Sequence, residues 1–398
     1  MIQVSEKQKC CGCEACVQKC PKGCIQMQAD YQGFYYPIVN QSLCIDCGLC
    51  EVVCPIIHQE KSRKPLEIYG AVNKDEKIRL ESSSGGIFTA IAESLINKDG
   101  IIWGASFNES HEVIHDCITT EKQLSRLRGS KYVQSRIDLS YKKVEVALKM
   151  GEKVLFSGTP CQIAGLRRFL RKDYPNLYTV DFVCHGVPSP GVWTKYLEQQ
   201  FGKEASLSDI KFRDKICGWK NSCFSLKKHL SHEIKPVLHV EQRHTNLYMR
   251  AFLHDLILRP SCYDCPARSF KSGSDITLAD LWGAWVTLPE YNDDKGCSCV
   301  AINTPKGKEL FNSLAHSILC RQISYRDAFV NYNHAATMNP PINPKTDTFF
   351  SQYEFVALKK LVPSLTKDTL STKSKEVIRS ILEKIGLLKI WHKLKRKC

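Results

Sequence analysis

Two cysteine runs of identical spacing open the chain: Cys10-x2-Cys13-x2-Cys16-x3-Cys20-Pro21 and Cys44-x2-Cys47-x2-Cys50-x3-Cys54-Pro55. Three thiols on one tight loop and a fourth before a proline suit the corners of a 4Fe-4S cubane, in the run used by bacterial two-cluster ferredoxins. There the fourth cysteine of each run crosses to the other cluster. Cys10, Cys13, Cys16 and Cys54 are therefore expected to hold one cubane, and Cys44, Cys47, Cys50 and Cys20 the other. Zinc also binds cysteine pairs at this spacing, but pairs explain neither the third cysteine of each run nor the proline. Cys11 and Cys24 fall outside the pattern and read as small buried residues.

The chain is 398 residues long, enough for a small cluster module and a larger body. Its 21 cysteines include eight in the two runs, and the others form no disulfide framework, which suits a reducing cytoplasm. Residues 1–9 contain no signal-peptide core, and no apolar stretch approaches membrane length, so a cytoplasmic protein is expected. A net charge of +15 points to acidic partners, but no nucleic-acid motif accompanies it and nucleic acid is not expected.

Between the cysteine runs, Tyr31 to Val39 is aromatic and β-prone. The basic connector Lys61-Ser-Arg-Lys-Pro65 ends a first module at residues 1–62. A body is expected over 66–345, divided near 150, followed by a basic tail over 346–398. In that tail, residues 374–397 form an amphipathic pattern that packs on the body or touches a partner or membrane surface. The fold class expected is an α+β ferredoxin-like two-cluster module followed by an α/β flavin-binding body.

Several turns of the body are suited to ligands. Ser83, Ser84, Gly85 and Gly86 lead into a helical pattern at 87–96, where backbone N–H groups and the helix dipole would favour phosphate. An ordinary serine N-cap is the alternative. Ser130 and Lys131 lie in a basic loop that would add charge. The strand-like 153–157 runs into Gly158, Thr159, Pro160 and Cys161, and the strand-like 177–183 runs into Cys184 and His185. Turns at the carboxyl ends of strands are where α/β sheets bind ligands. Cys262 and Cys265 add a CxxC loop, so Cys161, Cys184, Cys262 and Cys265 form a candidate third cluster site. Buried structural thiols, a zinc site and a redox dithiol are the competing readings.

The body resembles the beta subunit of coenzyme F420-reducing hydrogenase and dehydrogenase. The resemblance covers roughly Leu66 to Ile342 and rests on Ser83-Ser-Gly-Gly86, Gly129-Ser-Lys-Tyr132, Ser157-Gly-Thr-Pro-Cys-Gln162, Asp181-Phe-Val-Cys-His-Gly186, and Cys262-x2-Cys265 followed by Asp275-Ile and Asp280-Leu-Trp-Gly283. It implies an FAD-containing oxidoreductase in which flavin exchanges hydride with an organic carrier and single electrons with iron–sulfur clusters. FAD pyrophosphate would use the serine and glycine turns, with Lys131 as countercharge. The fused two-cluster module implies a ferredoxin or another redox protein as electron partner, and a small hydride acceptor, coenzyme F420 or another, as substrate. A non-catalytic electron-transfer subunit and a carbohydrate-pathway accessory protein are the alternatives.

Overall fold

The computed structural model describes residues 1–366 apart from 231, 232 and 234. The amphipathic pattern at 374–397 lies outside the described residues.

The sequence repeat at the N-terminus is also a repeat of backbone shape. Gly12 and Asp46, each before the second cysteine of its run, have φ of 68° and 49°. Glu14 and Gly48, each after it, have φ of 60° and 71° and lead into the short helices Ala15–Lys19 and Leu49–Val52. A glutamate tolerates this left-handed position because its carboxylate is tied down. Its Oε1 accepts from the Ile137 N–H and from Arg136 Nε, both at 3.1 Å, and its Oε2 from the Asp138 N–H at 3.1 Å. Strands β1 (Ile25–Ala29) and β2 (Tyr35–Val39) form an antiparallel hairpin between the two cysteine loops.

The body is built on an eight-stranded sheet. Its strands are β3 (Glu67–Asn73), β4 (Ile101–Phe107), β5 (Val113–Ile118), β6 (Val154–Ser157), β7 (Leu177–Phe182), β11 (Ile276–Asp280), β12 (Ser298–Ile302) and β13 (Ile318–Gln322). Their order is β13-β3-β12-β11-β7-β6-β4-β5. Strands β4, β6, β7 and β11 are parallel neighbours, and β12, β13 and β5 run against their neighbours. A second, antiparallel sheet comprises β8 (Ser206–Asp214), β9 (Cys223–His229) and β10 (Val237–Gln242). The larger sheet is therefore mixed, and its continuous apolar strands are those of a sheet covered on both faces. Alternation along β6 shows this directly. Leu155 packs with Ile87, Ile91 and Leu95 on one face, while Val154 and Phe156 pack with Ile163 and Leu166 on the other. Asp280 ends β11, so Leu281–Gly283 form a turn in the structure.

The cysteine module is part of this packing. Cys11, Cys13, Ala15 and Val53 belong to the core formed with the helix Pro160–Leu170. Phe34 and Tyr36 join a largely aromatic core with Trp193, Phe212 and Phe252. The helices Thr346–Gln352 and Leu358–Leu365 contribute Phe349, Phe350 and Leu361 to the same core, so the expected boundary at 345 falls inside it. The connector is also pinned, since Ser62 Oγ donates to Ser269 O at 3.0 Å and Arg63 Nε to Phe270 O at 3.1 Å.

Gly33 and Gly191 bring the module and the body into backbone contact. A Cβ on Gly191 would lie 2.8 Å from Gly33 Cα, and the Gly191 N–H donates to Gly33 O at 3.3 Å. Gly191→Val is expected to destabilise the protein by about 2–3 kcal/mol, the usual range for overpacking. Guanidinium unfolding measures this, and a variant matching the parent would show that the contact yields freely.

Candidate redox centre

The two N-terminal quartets come together as the crossed spacing requires. Cys20, Cys44, Cys47 and Cys50 line one small pocket together with Ile25, Val39 and Leu49. The Ile2 N–H points to Cys50 Sγ at 3.3 Å, a donor suited to a thiolate ligand. Cys24 is buried and its sulfur lies 3.3 Å from that of Cys20. In the other quartet, burial raises the Cys16 thiol, and Cys10 and Cys54 raise it further. Cys54 is raised by burial and then by Cys10. The fourth cysteine of the second run thus faces the first run.

Cys161, Cys184, Cys262 and Cys265 also converge. Strands β6 and β7 are parallel neighbours, which puts Cys161, just past β6, beside Cys184, just past β7. The 3-10 segment Pro260–Asp264 carries Cys262 to the same edge, where the Val187 N–H points to Cys262 Sγ at 3.4 Å. A Cβ on Gly186 would lie 3.2 Å from Cys262 Cβ, so glycine permits this approach. Burial raises the Cys184 thiol, and Cys262, Cys161 and Cys265 each add to the shift. Burial likewise pushes Cys262 up to about 12. Four thiols held this way ionise only against positive charge, which iron supplies. Among the described residues, no three His, Cys, Asp or Glu side chains cluster closely enough to hold a single metal ion.

The third quartet touches the first. The Cys161 thiol is raised foremost by its hydrogen bond to Cys11, and Cys11 is hydrogen-bonded in turn to Cys13. Cys11, outside the repeat, is therefore a sulfur between two cysteine sites.

Two arginines complete the centre. Arg259 is 1% exposed. Its Nε donates to Cys10 O at 2.8 Å, Nη1 to Gln134 Oε1 at 2.9 Å and Nη2 to Tyr35 O at 2.9 Å, and Nη2 also lies 3.6 Å from Cys10 Sγ. Burial opposes its charge, while Cys10, Tyr36, Cys11 and Cys262 favour it strongly enough to raise its pKa. Arg268 is buried beside Cys184 and Cys265 and donates through Nη2 to His185 O at 3.3 Å. Neither arginine pairs with a carboxylate among the described residues. A buried cation needs a nearby anion, and thiolate-ligated clusters are anionic. The Tyr36 hydroxyl, buried without a hydrogen-bond partner and facing Cys10 and Cys262, is a free donor for the same anions. Nothing in the sequence marked Arg259, Arg268 or Tyr36, because their roles depend on burial. His185, also at this edge, pairs through Nε2 with Asp255.

The serine and glycine turns meet at another part of the carboxyl edge. The Ser130 N–H donates to Ser83 Oγ at 2.7 Å, joining the two loops. Ser84 Oγ donates to Cys297 O at 3.0 Å, the Gly85 N–H to Ser298 Oγ at 2.9 Å, and Gly86, with φ of 84°, caps the helix Ile87–Ile96. Lys131 Nζ lies 3.2–3.3 Å from three carbonyls of residues 127–129, and desolvation lowers its pKa to about 7. The Gly158 and Thr159 N–H groups are spent on Val180 O and Gln162 Oε1, and Pro160 begins the following helix. Trp219 donates through Nε1 to Ser83 O at 3.1 Å and stacks on Trp282 with centroids 4.8 Å apart.

Such a centre, with two cysteine modules packed against a mixed α/β body, defines an iron–sulfur protein of redox type. Residues 9–56 match the 4Fe-4S dicluster domain, and residues 151–324 match the C terminus of the coenzyme F420 hydrogenase/dehydrogenase beta subunit. The chain belongs to the family of the coenzyme F420 hydrogenase/dehydrogenase beta subunit, with a 4Fe-4S dicluster domain in front. It is 25% identical over 313 residues to the coenzyme F420-dependent sulfite reductase of Methanocaldococcus jannaschii, covering 77% of this chain and 46% of the relative. It is 25% identical over 185 residues to a component of the F(420)H(2) dehydrogenase of Methanosarcina mazei, covering 44% and 51%. The chain thus spans about half the length of these curated relatives. A solved F420-reducing [NiFe] hydrogenase complex from Methanosarcina barkeri aligns with a TM-score of 0.44 at 17% identity, covering 76% of this chain and 91% of that chain. No helix among the described residues is long and apolar enough to cross a membrane.

Proposed function

We propose that the chain is an iron–sulfur flavoprotein oxidoreductase that exchanges single electrons with a carrier protein and hydride with an organic acceptor, coenzyme F420 or another. The observation that supports it best is the convergence of Cys161, Cys184, Cys262 and Cys265 beside the first cysteine loop, with Arg259 buried between them. The two N-terminal quartets would hold one 4Fe-4S cluster each and the body quartet a third, giving a one-electron path. Bound FAD supplies the conversion between single-electron and hydride chemistry. Ser83, Ser84, Gly85, Gly86, Ser130 and Lys131 would face its pyrophosphate, while Gly158, Thr159 and Pro160 shape the neighbouring turn.

Iron, acid-labile sulfide and released flavin, quantified on one anaerobically reconstituted sample, test this reading. Roughly twelve irons with one FAD are expected, and eight would remove the third cluster. Iron without flavin would leave a relay subunit.

Lys131 gives the flavin assignment a pH signature. With its pKa lowered to about 7, the ammonium is half charged near neutrality. An adjacent phosphate favours the charged form, so FAD affinity is level below pH 7 and falls above it, by up to about tenfold per pH unit. Dissociation constants measured from pH 6 to 9 check the slope, and Lys131→Met should flatten it. An equal slope in that variant would place the phosphate elsewhere.

A further inference from the structure

The helix Pro160–Leu170 crosses the sheet, with Cys161 at its start and a cluster of cations at and beyond its end. At that far end, a cavity of about 530 Å³ opens between the helix, the loop after Cys54 and the segment around Lys271. Its wall holds eight lysines and arginines against two acids, Glu60 and Asp173. Both acids are already paired, Glu60 with Arg168 at 2.6 Å and Asp173 with Arg167 at 2.9 Å. Arg63 turns inward to the carbonyls of Phe270 and Ser274. Lys61, Arg171 and Lys271 have no side-chain partner among the described residues, so their charge faces outward.

We propose that this cavity and its rim form the docking surface for a small acidic one-electron carrier protein. Position supports this reading, because Val52 and Pro55 of the wall flank the Val53–Cys54 step and Cys54 belongs to the first quartet. The surface also includes exposed apolar side chains, Val52 at 43% and Ile57 at 55%. An apolar patch with a charged rim is the anatomy of a transient protein interface, whereas a small anion would use the charge alone. A positive concave surface also raises the encounter rate of an acidic protein, by about 10- to 1,000-fold at low salt. Each encounter transfers one electron: the reduced carrier loses it, the oxidised cluster gains it, and two encounters match one hydride. The carrier and the organic substrate would then approach opposite edges of the sheet, so neither need leave before the other binds. The proposal rests on the iron–sulfur reading of Cys10, Cys13, Cys16 and Cys54.

The test is stopped-flow reduction of the reconstituted full chain by a reduced acidic 4Fe-4S ferredoxin, with iron content measured first. The rate constant should fall as salt rises. The triple variant Lys61→Glu, Arg171→Glu, Lys271→Glu should lose at least about tenfold at low salt and become nearly salt-independent, with reduction by dithionite unchanged. Lys22→Glu, at the rim of the Cys20 pocket, should have much less effect. A triple variant as fast as the parent, or an equal loss from Lys22→Glu, overturns the docking site. Low iron content in the parent would instead defeat the cluster reading on which it rests.

Discussion

Arg259→Leu is expected to cost at least about 3 kcal/mol of stability and to make the reconstituted clusters harder to reduce. The substitution leaves Cys10 O, Tyr35 O and Gln134 Oε1 without the donors they share at 2.8–2.9 Å. Buried acceptors left unpaired cost about 1–3 kcal/mol each, partly relieved by local rearrangement. The same change removes a cation facing Cys10, Cys11 and Cys262, so the anionic, reduced state of a cluster there loses support and its potential falls. Arg259→Lys keeps the charge but not the planar fork, and should recover the potential better than the stability. Anaerobic guanidinium unfolding and a potentiometric EPR titration measure the two effects separately. A leucine variant within about 1 kcal/mol of the parent, with unchanged potentials, would show that the arginine neither supports the core nor senses the clusters.

The second large effect concerns iron. Cys161→Ser should lower the content by about four irons per chain and leave the two N-terminal clusters in place, and Cys262→Ser should match it. Cys11→Ser should retain its iron, although it removes the thiol hydrogen-bonded to Cys161. Iron and sulfide counts on the three variants decide this. Full iron in Cys161→Ser would return the quartet to buried structural thiols, and iron loss in Cys11→Ser would make Cys11 a ligand.

Much of the local structure was legible. The helical period at 87–96 corresponds to the helix Ile87–Ile96, and the strand-like 153–157 to β6, because each pattern reports which side chains of a short segment face the core. Other features were not legible. Glu14 reads as an ordinary loop acid, yet it is 4% exposed and accepts from two backbone N–H groups more than a hundred residues away. The aromatic helices at 346–352 and 358–365 read as the start of a tail, because their partners, Phe34 among them, lie far off in sequence.

The redox centre divides in the same way. The eight N-terminal cysteines could be singled out because a cubane imposes its corners on one short loop, and the proline and spacing record that geometry locally. The body quartet could be nominated but not assembled from sequence. Cys161 and Cys184 meet only because β6 and β7 pair, and Cys262 joins them only because its segment folds back onto the Val187 N–H. The charge of Arg259 was visible from the start, but its burial among sulfurs, which gives that charge its effect, is a property of the packed chain. Spacing within a loop is local covalent geometry, whereas burial and long-range convergence arise only when strands pair and the module and body share a core.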